Sequence, residues 1–471
     1  MHPANAALRT QVAQVLVDIS NLETRLKEKQ AELARLQHQL DVVTYPVLSL
    51  PPEIVSEIFG LCFPTERMGM DALNSDEAPL LLSQICGQWR RIALSTPALW
   101  RELDINLLCA SRRAHGSEIT KTITAPASKF VNTKFAKTFR RHASAIQWLD
   151  LNITDNELDE MTQLVNFPIL RKLCVRASEE YGREGFSDDP IEMFDEVPQL
   201  SEVLLHYIPA HLVALPWRQL RKFTGDFYDI PQCLTALELM PNITESAFSI
   251  EVEEDDSIED GDFDVISHAE MRSFTLFHSE SIDTGGEAHN AKILKFLTFP
   301  KLESLELLDV EDYDADDLHQ LVERGSPPLQ RLVVHPHSNE GLGQLAVGMP
   351  PLSEQPHLTE LEIWYPEQIF TSLFFDFFGH DDSLVPGLQK LSFYCRFKEG
   401  EDSQNDLLRL AAGPLTERMS LERVAQMRVF RVDAVGNVFS SHREEDLLPF
   451  RKLKEQGMEV YITSNGKANR I

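Results

Sequence analysis

Phe299 to Leu307 reads FPKLESLEL, and variants of this phrase return along the chain. In order they are FPILRKLCV, VPQLSEVLL, LPWRQLRKF, MPNITESAF, FPKLESLEL, PPLQRLVV, QPHLTELEI and VPGLQKLSF. Each sets Pro ahead of an apolar anchor. The anchors are Leu170, Leu200, Leu220, Ile243, Leu302, Leu329, Leu358 and Leu388. IQWLDL at Ile146 and MRSFTL at Met271 are weaker copies. With them, successive anchors stand 20 to 31 residues apart. One unit of this size cannot bury its own apolar face, so the units must stack.

A period of that length with L-x-x-L-x-L resembles leucine-rich repeats. Each unit is expected to be one short strand with a helical or irregular return. The Asn/Cys position that normally follows L-x-L is missing throughout. Side chains alternate along a strand, so the anchor, anchor+3 and anchor+5 point inward. Anchor+2, +4 and +6 then face the concave side. Among these are Asp150, Lys172, Arg176, Glu202, His206, Ser304, Glu306, Arg331 and His335. Aromatics mixed with charge are what protein-binding surfaces carry. The candidate cargo contacts are therefore Trp148, Phe277, Glu360, Glu362, Trp364, Lys390 and Tyr394, centred on Trp364 and Tyr394. The alternative is that loops or the C-terminal segment cover these aromatics.

Ahead of the repeats, residues 46 to 104 carry PVLSLPPEIVSEIFGLCFP, a polar insert, and APLLLSQICGQWRRIALSTPALWRELD. Leu50-Pro51-Pro52 is a turn feeding a helix with Glu53 in its first turn. Ile54, Ile58, Phe59 and Leu61 fall at helical spacing on one face, and Pro64 ends the helix. Ala78 to Leu94 gives a second helical stretch with Leu81, Leu82, Ile85, Trp89 and Ile92 along its apolar side. Thr96-Pro97 breaks it, and Trp100 closes the segment. So much apolar surface on so small a unit needs a partner or neighbour to cover it.

LPPEIVSEIF followed by LLSQICGQWRRIALSTPALW is similar to the F-box. The match falls on Leu50, Pro51, Glu53, Ile54, Ile58, Cys86, Trp89, Arg90, Pro97 and Trp100. Together with the helix that precedes it, the segment resembles a large fungal class of F-box-like proteins. The repeats resemble the irregular leucine-rich-like arrays of F-box receptors. The departure is the loop Thr65 to Ala78, which lengthens the junction between helices. The resemblance implies docking on the Skp-type adaptor of a cullin–RING ubiquitin ligase. Leu50, Pro51, Ile54, Ile58, Ile85, Trp89 and Trp100 would make or support that interface. The alternative for Trp89 and Trp100 is core packing.

From Leu8 to Val43 the apolar residues step by four and three. One seam position holds Val12, Ile19, Leu26, Leu33 and Leu40. The other holds Leu8, Val15, Leu22, Lys29, Leu36 and Val43. No Gly or Pro interrupts the run until Pro46 stops it, and the length corresponds to about 54 Å of helix. Val and Ile at a with Leu at d lean toward a two-stranded coiled coil. Homodimerisation through Leu8–Val43 and docking back onto the chain are both open. In a parallel pair Asp18 would repel Glu23, and Arg25 would face only Gln30.

Two charge runs stand out. Ser111 to His142 holds eight Lys or Arg against Glu118 alone, and is expected to be a solvated linker helix. Glu251 to Asp264 holds nine acids and no base, and is expected to be a loop. As a calcium loop it fails, because Ile258 and Ser267 occupy ligand positions. Over the whole chain the formal charge is −30, which argues against nucleic acid as a partner. It points instead to a cargo with a basic or mixed-charge surface.

MHPANAALRT has no apolar core of a signal, so no export is expected. The most apolar stretch, Ile369 to Phe378, is too short for a membrane span. Six scattered cysteines without CxxC predict neither a zinc site nor a disulfide framework. No phosphate-binding glycine loop, GxSxG or HExxH occurs. The expectation is a non-catalytic chain of cytoplasm or nucleus, without cofactor, metal, nucleic acid or membrane.

The expected fold class is α/β. A helix over 1–45, an F-box-like helical domain over 46–108 and a basic connector over 109–143 precede a repeat solenoid on a parallel sheet over 144–463, with a tail over 464–471. The leading function is the substrate-recognition subunit of an SCF-type (Skp–cullin–F-box) ubiquitin ligase, holding the adaptor and an unknown protein cargo. The other reading is a scaffold that dimerises through its first helix and assembles no ligase.

Overall fold

A computed structural model of the chain describes residues 3–42, 49–62, 78–100, 102–106, 143–153, 166–177, 190–250, 263–277, 290–310, 315–336, 352, 355–364, 368–396, 403–435, 444–464 and 467–468. The described residues up to Leu99 form one compact unit, and those from Trp100 onward form a second. The loop after Pro64, except Ala78, lies outside the described residues. So do the basic run over residues 111–142 and the acidic run except Phe263 and Asp264.

The first unit is helical. α1 runs from Pro3 to Val42, close to the limits that the heptads set. α2 is Pro52–Leu61, with Pro51 as its N-cap and Pro52 at the first helical position, where a missing N–H costs nothing. The stretch expected to be one helix is two, α3 at Leu80–Ile85 and α4 at Gly87–Ser95. Cys86 is extended between them (φ −155°, ψ 166°), and its Sγ accepts from the N–H of Trp89 at 3.4 Å. Arg90 Nε donates to the Ser83 carbonyl at 2.7 Å and holds the corner. A 3-10 turn, Pro97–Trp100, follows.

The second unit is a mixed helix and strand structure on a large parallel sheet. Its strands are β1 (Glu102–Asn106), β2 (Trp148–Ile153), β3 (Lys172–Ala177), β4 (Glu202–His206), β5 (Lys222–Tyr228) and β6 (Glu245–Ile250). After β7 (Ile266–Ser267) come β8 (Ser273–Phe277), β9 (Leu297–Thr298), β10 (Ser304–Val310), β11 (Arg331–Pro336) and β12 (Glu360–Trp364). The last are β13 (Lys390–Arg396), β14 (Val429–Val435), β15 (Glu459–Ser464) and β16 (Lys467–Ala468). Fourteen of these pair in strict chain order, with β7 and β9 making a separate parallel pair. Every pairing in the large sheet is parallel except the last, where β16 folds back on β15. The sheet thus begins at Glu102, inside the segment expected to be wholly helical. It ends at Ala468, inside the expected tail.

The anchors explain the stacking. All ten sequence-read anchors are at most 1% exposed. In FPKL the Leu302 N–H donates to the Phe299 carbonyl at 3.2 Å, closing a turn with Pro300 at its second position. Pro fixes the φ that such a turn needs. The same closure joins Leu170 to Phe167, Leu200 to Val197 and Leu388 to Val385. One residue past each anchor, a carbonyl accepts two N–H groups of the next unit. Arg272 O takes Glu303 N at 2.8 Å and Ser304 N at 2.9 Å, for example. These paired bonds set one register, so anchor+3 and anchor+5 fall into the core, with Ser246 and Gly225 the two of these places that are buried without an apolar side chain.

Two further units follow that were not read in the sequence. Met427 anchors Phe430 and Val432, and Met458 anchors Val460 and Ile462, all buried. The apolar stretch Ile369–Phe378 lies in a helix, Gln368–Phe378. Phe370, Phe374, Phe375 and Phe378 are at most 1% exposed, and Phe375 packs at 5.6 Å from Phe393 of β13. Among the described residues no helix is long and apolar enough to cross a membrane. Cys174, Cys233 and Cys395 are buried free thiols, and burial pushes Cys395 up to about 12.

Candidate functional site

α2 is apolar on both faces, and the structure sorts them. Val55 and Phe59 turn inward, with Phe59 fully buried and edge-on to Trp89 at 5.0 Å. Ile54, Ile58 and Leu61 turn outward, 49%, 37% and 84% exposed. Phe59 therefore leaves the stripe where spacing alone had placed it. On the next helices, Leu82, Ile92 and Ala93 are buried, while Leu81, Ile85 and Leu94 are exposed. Pro51 is exposed and Leu50 half-buried. Ser56 Oγ and Thr96 Oγ1 lie 3.1 Å apart, and Thr96 Oγ1 donates to the Ile92 carbonyl, which fastens α2 to the end of α4. A small core thus carries an uncovered row of branched aliphatics.

Of the seven residues expected at an adaptor interface, Pro51, Ile54, Ile58 and Ile85 are open to solvent. Trp89 is half-buried against Phe59, a core position, and its Nε1 has no hydrogen-bond partner among the described residues. Trp100 groups with the second unit. It stands three residues before Leu103, and Leu103 pairs with Leu149 just as Ile146 stands three before Leu149. By register, Trp100 holds the anchor position of β1.

In the second unit, strand-face side chains run in rows across the sheet. The first row alternates in charge. Lys172 pairs with Glu202 at 2.8 Å, Lys222 with Glu245 at 3.5 Å, and Glu360 with both Arg331 and Lys390. Arg331 also pairs with Glu306. Deeper, Asp150 is 3% exposed and meets Arg176 at 3.0 Å; burial raises its carboxyl against the opposing pull of that guanidinium. His206 Nδ1 lies 2.6 Å from Asp226. Most of the acids described on this face thus meet bases of neighbouring strands.

The third row is aromatic toward the C-terminal half. His335, Trp364 and Tyr394 stack in sequence, with centroids 4.7 Å and then 4.0 Å apart. Trp364 Nε1 donates to Glu362 Oε1 at 2.8 Å, and Arg431 donates to the Tyr394 hydroxyl at 3.3 Å. Arg431 also lies over Tyr461 at 5.2 Å. Glu360, Glu362, Trp364, Lys390 and Tyr394 are thereby brought together. Phe277 shares the row, with Leu308 paired beside it and His335 beyond. Trp148 is not part of the group. It lies eight strand spacings from Trp364, about 38 Å as measured along the sheet, under Lys172, whose Nζ is 5.4 Å from its ring centroid. Arg431 and Tyr461 were missed because their units carry Met anchors without Pro.

Among the described residues no group of His, Cys, Asp and Glu could hold a metal. No curated protein matches the chain. Residues 47–106 match the family model of the F-box-like domain, so the exposed row on α2 sits in a segment of that kind.

Proposed function

We propose that the chain is the substrate-recognition subunit of an SCF-type ubiquitin ligase. F-box domains bind Skp-type adaptors in cullin–RING ligases. The observation that carries the reading is the outward row Ile54, Ile58 and Leu61 on a helix whose other face is already packed, within the F-box-like match. Leu50, Pro51 and Ile85 extend the proposed interface; Trp89 supports it from the core. The chain itself supplies no chemistry in this reading. It works by holding cargo near a ubiquitin-conjugating partner.

Co-expression with a Skp-type adaptor tests this. The wild-type chain retains the adaptor. Ile54→Asp with Ile58→Asp weakens binding by more than about 100-fold, since two desolvated aliphatic anchors are replaced by charges. Both positions are exposed, so thermal unfolding stays near wild type. A wild-type chain that does not co-purify with the adaptor overturns the reading.

The large sheet is, in the same proposal, an irregular leucine-rich-repeat array whose strand face receives a protein cargo. The stack His335–Trp364–Tyr394 with Glu360, Glu362 and Lys390 is the proposed centre, and Phe277 a flank. Trp364→Ala with Tyr394→Ala should deplete the proteins biotinylated by a ligase fused to the chain, while circular dichroism is unchanged. An unchanged labelled set refutes this site. A second reading, a homodimeric scaffold that assembles no ligase, is favoured by one observation: the seam of α1 is exposed from Val12 to Leu36.

A further inference from the structure

On the strand face of the large sheet, Lys172, Arg176, His206, Lys222, Arg331 and Lys390 each meet a carboxylate of a neighbouring strand. Two charges on β14 do not find such a partner. Arg431 gives one N–H to the Tyr394 hydroxyl at 3.3 Å and lies over the Tyr461 ring at 5.2 Å, and it forms no ion pair among the described residues. Asp433 follows it on the same face, half-buried, and its buried Oδ1 has no hydrogen-bond partner among them. The guanidinium reaches Tyr394, the residue paired with Asp433 on the next strand. The two opposite charges thus stand near one another and do not pair.

Two hydroxyls beside them are also unanswered. Ser392, 1% exposed, is the register partner of Arg431, and Thr463 is that of Asp433. Neither Ser392 Oγ nor Thr463 Oγ1 has a hydrogen-bond partner among the described residues. Of the buried strand-face oxygens described, Asp226 Oδ1 is the other one in this state, far along the sheet on β5. Buried polar groups without partners cost free energy. A cluster of them flanking the stacked rings of Trp364 and Tyr394 therefore points to partners supplied from outside the chain.

The groups call for an acceptor at Arg431 and a donor at Asp433, close together. A carboxylate or phosphate serves the first and is repelled by the second. An ammonium does the reverse. A carboxamide brings two N–H donors and a carbonyl in one uncharged plane, more than a hydroxyl or a peptide group carries, and the serine and threonine hydroxyls can answer either end. We propose that the corner formed by Arg431, Asp433, Ser392 and Thr463 receives an Asn or Gln side chain of the cargo, beside Trp364 and Tyr394. This rests on the strand face being the cargo surface and names what that surface selects.

Panning a phage-displayed random dodecapeptide library on the full-length chain tests it. Peptides retained by wild type and lost on Trp364→Ala with Tyr394→Ala are expected to share an Asn or Gln. In a synthetic peptide of that set, replacing the carboxamide by the isosteric carboxylate should weaken binding more than about tenfold, since a donor to a charged partner becomes a repelled acceptor. Asp433→Asn should cancel that loss, because the new side chain donates to the carboxylate. Arg431→Met should weaken the parent peptide about tenfold with circular dichroism unchanged. Peptides that depend on the two rings but share no carboxamide, whether hydroxylic, acidic or basic, overturn the carboxamide site and leave the cargo surface standing. Failure of Asp433→Asn to rescue the carboxylate peptide overturns the pairing with Asp433, and the site with it. A library that yields no peptide dependent on the two rings overturns the cargo surface itself.

Discussion

Arg418→Ala lowers the stability of the sheet unit by about 3–5 kcal/mol, since several buried carbonyls lose hydrogen bonds to a charged donor at once. Arg418 ends the helix Ser403–Arg418, and its side chain is 1% exposed. The guanidinium donates to the carbonyls of Asp381 at 3.0 Å, Leu384 at 2.9 Å and Val385 at 2.8 Å. It also stacks on Phe378, 4.6 Å from the ring centroid. These carbonyls belong to the irregular return that follows the helix Gln368–Phe378. Lying outside helix and strand, such buried carbonyls depend on turns and side chains for their partners. Val385 takes a left-handed φ of 39° on the way to the Leu388 anchor, so the return is strained as well as polar. One planar fork answers a row of carbonyls that apolar side chains could not satisfy. Burial lowers the Arg418 pKa, but Asp381 and Asp382 oppose that shift. Arg418→Lys keeps the charge and loses the fork, so it should fall between wild type and alanine. Urea unfolding followed by tryptophan fluorescence measures both. A loss below about 1 kcal/mol for alanine would mean that water can replace the fork, and that the return is not organised by this residue.

The return around Arg418 also shows where sequence reading stops. A lone Arg in RLAAGPLTERMS carries no periodic signal, because its partners are carbonyls 33 to 40 residues away. Gly379 has a similar history. A methyl there would sit 2.9 Å from the Pro414 Cα, so the glycine lets the two helices approach. The strands were legible because Pro and an apolar anchor recur on one turn geometry, and alternation then follows from the pleat. Met427 and Met458 escaped because neither turn contains Pro, and because Met458 stands one residue nearer its strand than the other anchors, with Val460 and Ile462 buried at +2 and +4. Alternation also placed Trp364 and Tyr394 on the outer face. What they touch depends on cross-strand register, which no single unit encodes. In α2, spacing showed that Ile54, Ile58, Phe59 and Leu61 were helical. It could not say which of two apolar faces would be covered. Lastly, the net charge of −30 describes the whole chain, and only strand pairing shows that Lys172 is set against Glu202 and Lys390 against Glu360.

Trp100→Ala separates two roles that the sequence could not. As a closing residue of the F-box-like segment, Trp100 would serve the adaptor interface, and its loss would show in adaptor binding. Register gives it the place of an anchor. Leu103 and Ile105 pair with Leu149 and Leu151, both fully buried, and Trp100 precedes Leu103 as Ile146 precedes Leu149. Leu99 beside it is 2% exposed, whereas Trp100 is only half-buried, so part of its ring remains in contact with solvent. Truncating a buried Trp costs about 3–5 kcal/mol, and a half-buried one should lie near the lower limit. The expected result is a loss of about 3 kcal/mol in the sheet unit, with protection lost first in β1, which has β2 as its single neighbour among the described residues. Hydrogen exchange resolved to peptides would show faster exchange over Glu102–Asn106 and then Trp148–Ile153, while Val55–Phe59 keeps its protection. Adaptor affinity should change by less than about threefold, because Ile54 and Ile58 stay in place. The opposite pattern, an intact β1 with adaptor binding lost, would return Trp100 to the interface and remove it from the strand register.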